Sequence, residues 1–241
     1  MSTLVLNDAK LFVAGYDLSG QSNAIALEYK ADMLDETTFG QTTRINKGGL
    51  KSVVGSHAGN WDATDALAVD PVSFARVGVA DAPVVIAPEG GAAGALAYLL
   101  RAIHKEYTVG GVIGELLPFT VAMEGSGGQP LIRGRLMHNA SATGNVTGAA
   151  FQLGALDATQ FMYAALHVFS GTGAFIVKVQ SAAVEAFTTP NDRITFGTVA
   201  TGTPVASEWA TRVQGPITDQ WWRIFATNPA TRNFAVAVGI Q

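Results

Sequence analysis

Four histidines, three clustered carboxylates and a tryptophan pair are the residues whose types could do chemistry in this 241-residue chain. His57, His104, His138 and His167 stand far apart, with no pair at the short spacing that puts two imidazoles on one metal, so each is expected to be structural or exposed. Asp32, Asp35 and Glu36 crowd together and could act as acid and base, but a solvated strand end explains them equally and no further acid is placed beside them by spacing. Trp221 and Trp222 are adjacent, so on a strand they point to opposite faces. One then enters a core, and the other is a candidate outer-surface contact that could stack on a sugar ring. No G-x-S-x-G elbow, H-E-x-x-H pair, phosphate loop or G-x-G-x-x-G turn occurs, and the lone GTG at 171–173 reads as a hairpin turn. The chain is expected not to be an enzyme and to use no cofactor and no metal.

Composition narrows the classes further. Hydrophobic residues make up 48% of the chain, enough for a sizeable core. Charged residues make up only 14%, below the roughly 25% of an average soluble domain, so Ala, Gly, Thr, Ser and Asn must build the surface. Such a surface suits packing against other protein. Residues 1–140 carry 10 Lys and Arg against 14 Asp and Glu, while 141–241 carry 5 against 5, which places all the excess acid in the first part. No basic patch is evident, so tight electrostatic binding of nucleic acid is not expected. The absence of cysteine excludes disulfides and thiolate metal sites. MSTLVLNDAK lacks the basic start and apolar core of a secretory signal, and no apolar run reaches membrane-spanning length, so the chain is expected to be soluble and made in a cytoplasm. The glycosylation triplets at Asn139 and Asn145 are then chance matches.

The elements that must position these residues are mostly strands. Met1–Asp8 reads as an arm. In SNAIALEYKADML the alternation is strict: Ile25, Leu27, Tyr29, Ala31 and Met33 fall on one face, and Ala24, Ala26, Glu28, Lys30 and Asp32 on the other. That is the pattern of a strand with one buried and one wet side. A long polar stretch, LDETTFGQTTRINKGGL at 34–50, precedes a returning strand around Lys51. VDPVSFARVG predicts one short helix with Asp70 as its cap, Pro71 at its first position and Gly78 as its stop. Over residues 95–107, ALAYLLRAIHKEY fits a helix and a buried strand equally. NASATGNVTG then marks an expected boundary near residue 142, followed by seven short strands between turn signals, an antiparallel β-sandwich over 143–241. The predicted fold is mainly β, in two domains, 1–142 and 143–241, and no repeat of 20–50 residues is evident.

The order GYDLSGQSNAIALEY, ADMLDETTFGQTTRINKGGLK, GNWDA, APEG, EYTVGGVIGELLPFTVA and LIRGRL resembles the tail tube proteins, or major tail proteins, of long-tailed bacterial viruses. The resemblance covers about residues 1 to 140, and the C-terminal sandwich is similar to the immunoglobulin-like or jelly-roll domains that some of these proteins carry on the outside of the tube. It implies a β-sandwich flanked by a helix, whose inner sheet joins those of neighbouring subunits into a continuous barrel. Rings of the chain, expected to be hexameric, would stack into a tube in the virion tail and form the conduit for DNA ejection. The tape measure protein and the tail terminator are the implied partners, besides the chain itself, and DNA would pass without specific binding. Glu28, Lys30 and Asp32, with Lys51 from the return strand, are then expected to face the bore. In the long loop, Phe39 is the one large apolar anchor for the next ring and Gly40 permits the turn beside it. Thr37, Thr38, Thr42 and Thr43 offer hydroxyls to a neighbour's edge, Arg44 a charge, and Gly48 and Gly49 a hinge. Phe39 folding back on its own subunit is the alternative for that loop. A capsid or virion decoration protein, or a carbohydrate-binding module using the tryptophan pair, are the alternative functions.

Overall fold

The computed structural model describes residues 6–202, 205–227 and 230–241, so the first five residues of the expected arm lie outside the described residues. In chain order the strands are β1 Lys10–Val13, β2 Tyr16–Asp17, β3 Ser22–Asp35 and β4 Asn46–Asn60, then helix α1 Val69–Arg76. Next come β5 Ala82–Ala87, β6 Leu96–Val109, β7 Pro118–Gly125, β8 Ile132–Ala142, β9 Val146–Thr147 and β10 Phe151–Gln152. The chain closes with β11 Phe161–Gly171, β12 Ile176–Ala182, β13 Asn191–Thr195, β14 Ala206–Trp209, β15 Val213–Gln214, β16 Trp221–Thr227 and β17 Arg232–Ile240. The fold is mainly β, and α1 is the one helix among the described residues. The ambiguous 95–107 segment is strand: β6 pairs with β8 at Leu96–Leu99 and with β7 at Ala102–Val109.

The chain forms two compact units, and they do not divide it at 142. Unit 1 comprises residues 1–20, 82–101 and 132–241; unit 2 comprises 21–81 and 102–131. The polar run that suggested a boundary is the end of β8, whose Asn139–Ala142 pair with Arg232–Ala235 of β17. Its polar residues mark a half-exposed strand end, not a linker.

In unit 1 the strands run in the order β14-β11-β17-β8-β6-β5-β1-β2, and a second sheet runs β10-β16-β12-β13. The alternation in β17 shows how the large sheet is buried on both faces. Phe234, Val236 and Val238 enter one core with Met162, Leu166, Val179, Ile224 and Trp222. The small Ala235 and Ala237 enter a second core with Phe12, Val85, Leu99 and Leu136. The sheet curls until its ends meet: a Cβ at Gly15, where φ is +92°, would stand 2.5 Å from the Ala206 carbonyl oxygen, and the Gly15 N–H donates to His167 Nδ1 at 3.2 Å. Arg232 is fully buried and donates to the carbonyls of Gly173, in the turn after β11, and Ala200. Trp222 is buried, with its indole N–H on the Gly154 carbonyl at 2.8 Å, while Trp221 stays partly exposed, the split expected of adjacent strand residues.

In unit 2 the strand order is β3-β4-β7-β6, the last contributing Ala102–Val109. Helix α1 begins after Ala68, which makes no side-chain cap, so Asp70 lies inside the first turn and not at the cap. Its carboxylate is used differently: one oxygen accepts from Trp61 Nε1 at 2.8 Å and from the Tyr107 hydroxyl at 2.7 Å, which fastens the helix to β6 and to the end of β4. The other end is held where the Gly78 N–H, at φ +79°, donates to the His104 carbonyl at 2.9 Å.

Because one core of unit 1 draws all of its buried residues but Met137 from beyond 142, and the other needs Tyr163, Ala165, Phe169, Ala235 and Ala237 as well as residues before it, a chain ending at Ser141 should not fold. Expression of Met1–Ser141 is expected to give aggregate or unfolded material by circular dichroism, whereas a soluble fragment that melts cooperatively would contradict the shared core.

Candidate functional site

The surface of unit 2 is unlike that of unit 1. Every large exposed apolar side chain among the described residues, except Leu6 and Val184, belongs to unit 2. This concentration follows from how few layers the unit has. One face of its sheet is covered: Leu27, Gly55, Met123 and His104 form one ladder row across the four strands, Ile25, His57, Val121 and Tyr107 the next, and Phe119 packs edge-on against His57 with centroids 5.5 Å apart. Val69 and Val72 of α1 are buried as well. The opposite face is bare, and its rows are small or paired. They read Glu28, Val54, Glu124; then Ala26, Ser56, Ala122, Glu106; then Ala24, Ala58, Thr120, Thr108. Lys30 lies 2.5 Å from Glu28 and Lys105 lies 2.6 Å from Glu124, so much of the charge here is matched locally.

The structure sorts the expected bore residues into two groups. Glu28 and Lys30 lie on the bare face, opposite Leu27 and Tyr29, as the alternation requires. Lys51 does not: it pairs with Ala31 on the Tyr29 face, and its ammonium sits 5.8 Å from the centre of the Tyr29 ring. The register shift between Ala31 and Met33 places Asp32 at a bulge, which breaks the simple alternation there. Tyr29, Ala31 and Met33, expected in a core, are exposed, because only β4 accompanies β3 beyond Glu28.

The long loop is shorter than the sequence suggests. β3 runs to Asp35 and β4 begins at Asn46, leaving residues 36–45. Polar residues disguised the strands because neither face of the hairpin is buried. Gly48 and Gly49 are strand residues with no positive φ, so they are not a hinge; a Cβ at Gly49 would approach the Cβ of Asp32 to 3.1 Å, and glycine here lets the strands close at the bulge. The loop holds its own shape: Glu36 N–H donates to the Ile45 carbonyl at 2.8 Å, Ile45 N–H to the Thr37 hydroxyl at 2.9 Å, and Thr37 N–H to Asp35 at 2.9 Å. The Thr37 hydroxyl is therefore engaged within the hairpin, and its bonds hold the exposed Asp35 carboxyl below its usual range. Arg44 lies 3.9 Å from Asp35 and Lys47 3.0 Å from Glu36. Thr38, Thr42 and Thr43 are exposed, Gly40 turns the chain at φ +90°, and Phe39 is fully exposed at the tip. It does not fold back.

Two features went unmarked in the sequence reading. The first is the open edges: β3 pairs only with β4, and Lys105–Val109 of β6 pair only with β7, so among the described residues the sheet has unpaired backbone along both sides. The second is the tip between β6 and β7, where Val112, Ile113, Leu116 and Leu117 are exposed. The histidines are mostly buried. His57 and His104 are buried in unit 2 and His167 in unit 1, while His138 is half-buried and stacks on Phe234 at 4.3 Å. Among the described residues no group of three or more metal-ligating side chains converges, and no helix is long and apolar enough to cross a membrane.

No family model and no curated protein matches the chain. Several solved structures show partial likeness, three of which follow. One, the virion of a native gene transfer agent particle, is 14% identical, covering 50% of this chain and 94% of that one at a TM-score of 0.40. The tail of an empty gene transfer agent particle with C6 symmetry is 16% identical over 48% and 91% of the two chains, at 0.38. The Dit protein of phage SPP1, described as a paradigm of the hub adsorption apparatus in phages infecting Gram-positive hosts, is 12% identical over 98% and 100%, at 0.40.

Two measurements probe this surface in the isolated chain. Phe39→Ala removes a ring that touches little of its own subunit, so the melting temperature should stay within about a degree of wild type, matching the small changes typical of exposed sites; a clear drop would mean that the ring packs at home. Burial pushes His57 down to about 3, with the charge on His104 adding to it, and pushes His104 down to about 4, with Arg76 adding. Both imidazoles are thus neutral when folded and take up protons near pH 6.5 when unfolded. Their contribution is fully present above pH 6.5 and is lost as pH falls toward 4 and then 3, at about 1.4 kcal/mol per pH unit for each group. His167, pushed to about 3 by burial, behaves alike in unit 1. Melting temperature should therefore fall between pH 7 and 5, and H57Q/H104Q should show a shallower fall.

Proposed function

We propose that this chain is a structural subunit of the tail of a long-tailed bacterial virus, polymerising as stacked rings into the tube through which DNA is ejected. The observation that carries the reading is the four-stranded sheet of unit 2, with one face covered and, among the described residues, one face bare and both edges unpaired. An open edge is a template for another strand, and a sheet with two of them is completed when β3 of one subunit adds to the outer β6 edge of the next. Repeated around a ring, this heterologous addition removes every edge by closing a barrel. The bare face then lines the bore. Its small side chains and locally matched charges give phosphates little to grip, and Glu106, which accepts from the Thr108 hydroxyl at 3.0 Å, adds to its acid side. The reading rests on this geometry and on the sequence resemblance, not on the partial likenesses to solved structures.

The partly exposed Trp221 of unit 1 is the residue left to a glycan-binding alternative, since Trp222 is consumed by the core. Negative-stain microscopy of the purified full chain at increasing concentration tests the proposal. Rings that stack into hollow tubes are expected. Discrete rings that never stack would assign a hub position in place of the tube, compact closed oligomers without a bore would favour a decoration protein, and monomers at every concentration would remove the reading.

A further inference from the structure

Many basic side chains of this chain are matched. Lys10 with Asp8, Lys30 with Glu28, Lys105 with Glu124, Lys178 with Asp192 and Arg193 with Asp219 each form an ion pair at 2.5–3.0 Å. Two arginines of unit 1 break this pattern. Arg133 and Arg135 stand two residues apart on β8, so their side chains leave the same face of the strand with only Gly134 between them. Both are exposed. Arg135 donates from Nη1 to the Gly94 carbonyl at 2.7 Å, and Arg133 makes no hydrogen bond, ion pair or ring contact among the described residues.

Register sets the face they share. Val238 of β17 stands opposite Arg135 and belongs to the core that holds Trp222, while Leu153 and Ile240 pack at the margin of that core. The arginines therefore sit where the core between the two sheets of unit 1 reaches solvent. A pocket of about 200 Å³ opens there, with Arg133, Arg135 and Gln152 as its polar side chains and Leu153, Val238 and Ile240 as its apolar wall. Gln152 donates to the Gln220 side chain at 3.0 Å, which holds its amide at the rim. Among the described residues no carboxylate lines the pocket. Glu89 is near in register, but it accepts from the N–H of Leu96, the residue paired with Arg135, at 2.9 Å.

Two like charges held side by side repel, and an apolar wall screens them less than bulk water does. A bound anion relieves that repulsion. Arginine narrows the choice of anion, because its planar fork offers two parallel N–H groups that fit the two oxygens of a carboxylate, whereas lysine is a point charge. The volume is below the roughly 300–1,000 Å³ of pockets that enclose a drug-sized ligand. It suits one carboxylate on a short aliphatic stem, with the head at the guanidiniums and the stem on the apolar wall.

We propose that this pocket of unit 1 is a binding site for an aliphatic carboxylate, held by Arg133 and Arg135 with its stem against Leu153 and Ile240. A free dicarboxylic acid and a glutamate side chain of a protein present the same chemistry. The site lies within one unit of one chain, so it stands or falls separately from the assembly reading.

Calorimetric titration of the purified full chain at low salt with glutarate, with a short capped peptide carrying one glutamate, and with inorganic phosphate tests it. One carboxylate per chain is expected to bind, more tightly than phosphate and more weakly as salt is added. R133Q should weaken binding about tenfold, the loss of one charge-assisted pair, and R133Q/R135Q should abolish it. R133K keeps the charge and loses the fork, so it should show most of the R133Q loss. Without ligand the R133Q melting temperature should match wild type, since that side chain has no partner to give up. Tighter binding of the peptide than of glutarate identifies a protein side chain as the source of the carboxylate, and the reverse identifies a free acid. Phosphate binding as tight as either carboxylate, full retention of binding in R133K, or no saturable binding of either carboxylate would overturn the proposal.

Discussion

The backbone groups along the two free edges of the unit 2 sheet set the terms for the rest of the molecule. Each N–H and C=O left in such a row must be met by water or by another chain, and a flat row of them invites strand addition. Within the described residues nothing caps either edge: β3 is long and carries no proline, and Lys105–Val109 lie beyond the single bridge from Val77. The helix can shield one face of the sheet and does so, through Val69, Val72 and the Asp70 carboxylate that ties it to Trp61 and Tyr107. It cannot shield edges. On the proposed reading, the bare face, the exposed apolar tip and the two-stranded hairpin that continues past Val54 belong to a unit whose surface is finished by neighbours.

Most of the large core lies in unit 1. There the same sheet is buried on both faces, with large residues toward one core and alanines toward the other, so β11 and β17 contribute twice over. β6 contributes to both units, pairing with β8 at Leu96–Leu99 and with β7 at Ala102–Val109. The buried Arg232 is a further commitment in unit 1, since removing its carbonyl partners would leave a desolvated guanidinium.

Strand positions were legible in the sequence wherever one face is wet. The alternation in β3 assigned Glu28 and Lys30 to one side and Leu27 to the other, and the adjacent tryptophans split between core and surface as their strand demands. Three things were not legible, each for a physical reason. Period alone does not separate a strand such as β6, whose residues Leu96–His104 are buried or half-buried throughout, from a helix. Polar composition reads as loop, so the exposed ends of β3, β4 and β8 vanished into the expected loop and linker. The grouping of β1, β5 and β8 with the C-terminal strands depends on pairings as distant as that of β8 with β17, which leave no local trace. The site was legible in part for the same reason: face follows from alternation, whereas edges follow only from knowing which strand lies beside which.

The charged side chains of the bare face bear on association more than on folding. Exposed pairs such as Lys30 with Glu28 and Lys105 with Glu124 contribute little to stability, since water screens them and ordering two long side chains costs entropy. Their effect on the field is larger in proportion, because in a bore only a few Debye lengths across, at roughly 10 Å each in 0.1 M salt, every charge is felt by what passes. Cations that stand alone on such a wall would hold phosphates at each ring. Cations held against carboxylates let a polyanion pass from ring to ring without a deep minimum, and the residual acid of Glu106 tips the balance toward release. On the proposed reading, the low charge content of the chain and the pairing of charges on this face are therefore one property: a surface that encloses DNA without binding it.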